Sequence, residues 1–520
     1  MRTDIGRARE WAGSHGAGWV RAGLRQGLWL WLVGMAFAAH AQFDEIQSRV
    51  SEFVLENGMK FIVLERHQAP VVSFYTYANV GSAQETAGAT GLAHLFEHMA
   101  FKGSQKIGTK DYEQERKALA REDEAYAALA AARRKGASPE VLKPLEAAFR
   151  AAQAGAGQWV VKSEFDEAVE RAGGRGLNAN TSSDRTVYFF SLPSNASELW
   201  FYLDSERFYE PVLREFYKER DVVMEERRLS VESNPVGKLV EEFLSVAYKA
   251  HSYKSPTIGF MSDLQNLTRA DARDFFSNHY VPGNLTAVVV GDVDTARMRA
   301  LAEAYFGRIP KKAAPEPLRT VEPLQAGERS FKLRLQSQRV SMVGYHKPGI
   351  QHPDNAVYDA LGSLLSEGRS ARLYRSLVRD QKIAVEAGGF PGFPGQKYPG
   401  LFLFFAFTAP GHENAEVEKA LEAETGRLCN EPVSGGELEG VKRRARANLL
   451  RQLDDNAGLA MQLADWQGLT GDWRNLFRQL DKINAVTPAD IQRVARATFT
   501  ENNRTIGAIE PAKSMADSGQ

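Results

Sequence analysis

Two stretches of this chain repeat one pattern at one spacing. Thr268-Arg-Ala-Asp271, with Asn284-Leu-Thr286 behind it, is matched by Thr487-Pro-Ala-Asp490 with Asn503-Arg-Thr505. Both pairs stand at the same offset of 219 residues, 487 − 268 and 503 − 284. Each copy reads as a capped helix followed by a strand, residues 287–290 and 506–509. A repeated helix–strand unit so far along the chain predicts two homologous halves. At 520 residues the chain is too long for one ordinary core, and the expected class is α+β, built from two mixed α/β halves.

Local composition sets the expected boundaries. Arg21 and Arg25 precede an apolar run over residues 27–39, and Ala39-His-Ala41 offers a small-x-small cleavage site. Residues 1–41 therefore read as a signal peptide, with an apolar run too short to span a bilayer, and predict export to the periplasm. A first half over 46–307 opens with strand-rich residues 61–80, broken around His67-Gln-Ala-Pro70. Within it, Leu119, Tyr126 and Leu129 recur at helical spacing and Gly136-Ala-Ser-Pro139 marks a break, which predicts an inserted helical hairpin over about 110–157. The Pro- and Lys-rich residues 308–317 begin a linker over 308–326, followed by a second half over 327–511 and a tail over 512–520.

The bulk numbers exclude some classes. Lys+Arg 65 against Asp+Glu 65 gives no net charge, and nothing in that balance suggests a nucleic-acid surface. The single cysteine, Cys429, permits no internal disulfide and reads as a buried small apolar residue.

The chemistry concentrates in His94-Leu-Phe-Glu-His98. On a helix, positions i and i+4 share a face, so His94 and His98 can hold one ion together while Glu97 projects beside them. Thr90 reads as the cap of that helix. A hydrolytic zinc site needs a third protein ligand and an open position for water. The candidate stretch is Lys218-Glu-Arg-Asp-Val-Val-Met-Glu-Glu-Arg227, in which Glu219 and Glu226 share one helical face and Glu225 stands as the alternative to Glu226.

The motif at His94, the later Asn178-Ala-Asn-Thr-Ser182, the Glu-Arg-Asp helix and His251-x-Tyr253-x₅-Gly259 stand in the order of the pitrilysin (insulinase) family. The chain resembles these inverted-motif zinc peptidases, which include the mitochondrial processing peptidase. The resemblance implies two halves enclosing a chamber and one zinc ion per chain. It implies His94, His98 and Glu226 as ligands, Glu97 as general base, and Glu219 as a carboxylate that orients a ligand. It further implies that peptides or unfolded segments add as a strand along Asn178 and Ala179.

One departure stands out. Family members usually carry an Arg and, seven residues later, a Tyr in the second half, whereas Val378 and Val385 occupy those places, with Arg379 one position off on the helix. Losing such an oxyanion donor costs roughly a hundredfold in rate. The reading that follows is a zinc endopeptidase paired with a homologous subunit that supplies Arg and Tyr, or acting as a homodimer; the other explanation of the departure is a chain that works alone, weakly or with other donors. The alternative is a non-catalytic peptide-binding or assembly subunit of the same fold.

Overall fold

The computed structural model of this protein describes residues 43–512. The signal peptide expected over 1–41 and nearly all of the expected tail lie outside the described residues. Six strands form the first sheet: β1 (Val50–Val54), β2 (Lys60–Glu65), β3 (Val71–Ala78), β4 (Arg175–Thr181), β5 (Thr186–Pro193) and β6 (Leu285–Gly291), in the order β1-β2-β6-β3-β5-β4. Five form the second: β7 (Arg329–Leu335), β8 (Val340–Lys347), β9 (Ala384–Phe393), β10 (Gly400–Thr408) and β11 (Arg504–Pro511), in the order β7-β11-β8-β10-β9.

The two halves are built alike, and the repeat is the reason. Helices Arg269–His279 and Pro488–Thr498 both start in a capping box, from Thr268 with Asp271 and from Thr487 with Asp490. Asn284 and Asn503 each donate to the last turn of the preceding helix, at the carbonyls of His279 and Thr498, and to a neighbouring strand end, at Asn79 and His346. The strand that follows then enters its sheet the same way. β6 runs parallel to β2 and antiparallel to β3, and β11 runs parallel to β7 and antiparallel to β8. Ala287–Val290 of β6 are fully buried, as a strand covered on both faces requires. The break at residues 66–70 separates β2 from β3, as their Pro and polar residues predict.

The halves are packed together. The helix Asn456–Thr470 of the second half lies across β3 and β6 of the first. Two long helices, Tyr112–Arg134 and Pro139–Gly157, pack side by side, the first capped by Asp111 and the second opening with Pro139 at its first turn. Cys429 is half-buried near the end of helix Asn414–Asn430, less enclosed than a small core residue would be.

Candidate metal centre

The helix Leu92–Met99 buries Leu92, Ala93, Leu95, Phe96 and Met99, which turns His94, Glu97 and His98 to its other side. Its N-terminus is not held by Thr90. The cap position is Gly91, at φ 90°, a left-handed conformation that a side chain would strain. A Cβ there would also come within 3.3 Å of Gly259 Cα and 2.8 Å of the Ile258 carbonyl. The free N–H groups go instead to Glu85, whose carboxylate accepts from Gly91 N at 2.8 Å and Ala93 N at 2.7 Å. Thr90 ties the neighbouring backbone down, donating to Asp263 at 2.7 Å and accepting from Phe260 N at 2.9 Å.

A second helix, Phe216–Arg227, brings in the carboxylates. Glu226 Oε2 lies 3.7 Å from His94 Nε2 and 3.6 Å from His98 Nε2. The three donor atoms lie within 4.8 Å of one another, and among the described residues no other group of three or more His, Cys, Asp or Glu offers such a cluster. Zinc bonded to N and O donors at about 2.0–2.1 Å holds them roughly 3.4 Å apart, so this set fits the ion with little closing. Glu225 turns away, its carboxylate 2.8 Å from Arg228. Glu219, seven residues before Glu226, stands 3.6 Å from His98 Nδ1.

Charge around the centre is uneven. Burial, then the neighbouring His98, pulls His94 down to about 4, so its imidazole is a neutral donor near neutral pH. Burial also pulls on His98, but the Glu219 and Glu226 carboxylates outweigh it and its pKa is raised. Burial works against ionisation of Glu219 as well, yet His98 and Lys102 hold its carboxyl down to about 2. Lys102 Nζ lies 2.5 Å from Glu219 and 3.5 Å from Glu215. Sequence reasoning missed Lys102 and Glu85; the position of Lys102, four residues after His98 and just past the end of the motif helix, was the available signal.

Beside the centre opens a cavity of about 440 Å³ lined by Glu97, His98, Phe101, Asn178, Ala179 and Glu219. Asn178 and Ala179 lie on β4, the edge strand of the first sheet, next to β5 alone. The Ala179 N–H is turned to its neighbour's side chain, Asn178 Oδ1 at 2.8 Å. The buried Arg214 guanidinium fixes the loop after the motif helix, with bonds to the Ser104 and Ile107 carbonyls and a bidentate pair with Glu115. On the second half, the single helix expected to carry Arg379 ends at Asp380, a residue whose carboxylate Arg379 holds at 2.6 Å. Val378 packs half-buried against the core there, and Val385 stands 60% exposed on β9.

The insulinase (peptidase family M16) model matches residues 60–130 and 155–259, and the model for the peptidase M16 inactive domain matches residues 266–445. The chain belongs to the insulinase family, M16. The segment left between the two parts of the first match, 131–154, contains the turn of the long helical hairpin. The chain is 28% identical over 494 residues to a Helicobacter pylori protein named zinc protease PqqE, a match taking in 92% of this chain and 96% of that one. It superposes on the crystal structure of a protease from the same species with a TM-score of 0.74 at 26% identity, covering 89% and 99% of the two chains. It shares the fold of the first half of the periplasmic protease PqqL from Escherichia coli, with a TM-score of 0.65 at 18% identity over 91% and 94%. In this M16 chain the donor cluster belongs to the half matched by the insulinase model.

Proposed function

We propose that this chain is a zinc-dependent endopeptidase that cuts peptides or unfolded protein segments. The observation that carries it is the meeting of His94, His98 and Glu226 from two helices, with Glu97 on the wall of the adjoining cavity. These three residues would hold one zinc ion, which when bound supplies Lewis-acid activation of water and of the scissile carbonyl. Glu97 accepts the proton of the attacking water and returns it to the leaving nitrogen. Glu219 fixes the His98 ring from its Nδ1 side. The substrate lies extended beside β4, displacing the Asn178 side chain from the Ala179 N–H, which then donates to the substrate backbone.

Export to the periplasm is supported by the expected signal peptide and by likeness to PqqL, which is called a periplasmic protease. Among the described residues no helix is long and apolar enough to cross a membrane. The working unit would be residues 46–307 and 327–511 joined by 308–326.

Val378 and Val385 favour a second component. Neither side chain can donate to an oxyanion, and a homologous subunit carrying Arg and Tyr would fill that role. The test is hydrolysis of a mixed quenched-peptide set by the chain starting at Gln42, with Glu97→Gln as control. Cleavage that disappears in Glu97→Gln supports a self-sufficient enzyme. Zinc binding without cleavage supports the partnered one. Neither zinc nor cleavage would sink the enzyme reading in favour of a non-catalytic subunit.

A further inference from the structure

The turn between β4 and β5, Ser182-Ser-Asp-Arg185, is held mainly from outside its own hairpin. β4 is an edge strand with an irregular register between Arg175 and Asn178, so its own ladder positions it weakly. Asp184 is 4% exposed, and a carboxylate so buried is stable only if its oxygens are filled. One oxygen accepts from the Tyr253 hydroxyl, and the other accepts from two second-half amides, Gln396 N at 2.7 Å and Lys397 N at 3.1 Å. The Tyr253 oxygen in turn accepts from Tyr398 N at 3.2 Å. The approach is so close that a Cβ on Gly395 would sit 2.4 Å from Tyr253 Oη and 2.6 Å from Asp184 Oδ2. The next residue also crosses: Arg185 Nε lies 2.9 Å from Asp465 on the helix that covers β3 and β6.

Tyr253 is fully buried and belongs to the His251–Gly259 segment, whose far end backs the metal helix. Gly259 packs on Gly91, and the next residue donates its N–H to Thr90 Oγ1. The near end is held by the linker, because the Glu322 carboxylate accepts from the backbone of Lys249, Ala250 and His251 at 2.7, 2.8 and 2.9 Å. One segment therefore touches the start of the motif helix, the turn of the edge strand and, both directly at Tyr253 and through Asp184, the second half.

We infer that Asp184 is a positioning residue, through which Tyr253 and the Gln396-Lys397 amides of the second half set the placement of β4 beside the metal centre. Its functional consequence rests on the proposed function: with β4 loosened, an extended substrate loses its template, while the metal site keeps its own supports. Short peptides spanning only the scissile bond depend little on β4.

The test uses the full mature chain with Asp184→Asn and the milder Tyr253→Phe, which removes one hydroxyl. Hydrogen exchange at the β4 amides is expected to quicken about tenfold or more in Asp184→Asn and less in Tyr253→Phe, with the motif helix and zinc content unchanged. For peptidase activity, KM for long extended peptides is expected to rise about tenfold and kcat on short ones to hold. The double variant should be little worse than Asp184→Asn, since the two residues share a bond. Unchanged β4 exchange in Tyr253→Phe and in a folded Asp184→Asn overturns the inference, as does loss of zinc in step with the faster exchange. If β4 exchange quickens but the wild-type chain shows neither bound zinc nor cleavage sensitive to Glu97→Gln, the positioning role stands and the peptidase reading falls.

Discussion

Glu219 Oε2 lies 3.6 Å from His98 Nδ1, while Glu226 Oε2 lies 3.6 Å from Nε2 of the same ring. One imidazole thus has a carboxylate at each nitrogen, one poised to share an ion and the other to steer the ring. Glu219→Gln keeps the shape and removes the charge. Zinc affinity is expected to fall about 10–100-fold, as for other carboxylates behind a ligating histidine. Glu226→Gln should cost more, since it removes a charged donor. Competition titration against a chromophoric chelator measures both.

The two histidines predict a pH dependence for metal loading. His94, held near 4, is neutral over the working range, but His98 is raised and keeps its proton above the ordinary histidine value. Zinc must displace that proton, so apparent affinity should fall as pH drops through the His98 pKa and level off above it. Calorimetry in two buffers of different ionisation enthalpy should register proton release below that plateau. In the metal-free chain the signs oppose. His98 contributes stability present below its unfolded pKa and lost as pH rises through its folded one, whereas His94 costs stability as pH falls toward about 4.

Glu85 carries a stability prediction. It serves two N–H groups at the start of the motif helix, so Glu85→Ala is expected to cost about 1–2 kcal/mol, read as a lower Tm. Burial pushes its pKa up to about 8 despite those donors. A raised carboxyl contributes stability that is complete below its unfolded value and lost as pH rises through the folded one. Glu85→Gln should therefore flatten the decline of Tm between about pH 5 and pH 8.

Strand addition at β4 predicts a period of two. Successive backbone groups of an extended peptide point alternately toward and away from its partner strand. In a peptide series with one N-methylated bond at a time, binding should weaken about five- to tenfold at alternate positions only. A loss at every position, or at none, would rule out pairing with β4.

The Val378 and Val385 positions predict a partner effect. A homologous subunit carrying Arg and Tyr, mixed with this chain, is expected to raise the cleavage rate by about a hundredfold or more. Val385 is exposed on β9, and exchanging it for Tyr in the chain alone should give less, because Val378 still lacks a donor. Initial rates with and without the subunit decide it.

Local patterns carried much of this protein. The Thr-x-x-Asp boxes and the Asn before each strand are short-range chemistry, so the duplicated halves were legible from a few residues at one offset. The helical period placed His94, Glu97 and His98 on one face, and seven-residue spacing put Glu219 and Glu226 together. Local preference misjudged the start of the motif helix. Thr90 is a good cap by residue type, but the close approach of Gly259 demands Gly91 in a left-handed conformation, and Glu85 serves the free N–H groups. The choice between Glu225 and Glu226 likewise needed the packed helices, which send one toward Arg228 and the other toward the histidines. By itself the sequence determined what repeats within a turn or two of helix or strand: the halves, the motif face and the candidate donors. Only the tertiary structure decided which carboxylate meets the histidines and how Asp184 joins β4 to the second half, because those partners lie tens to hundreds of residues apart and meet only when the core closes.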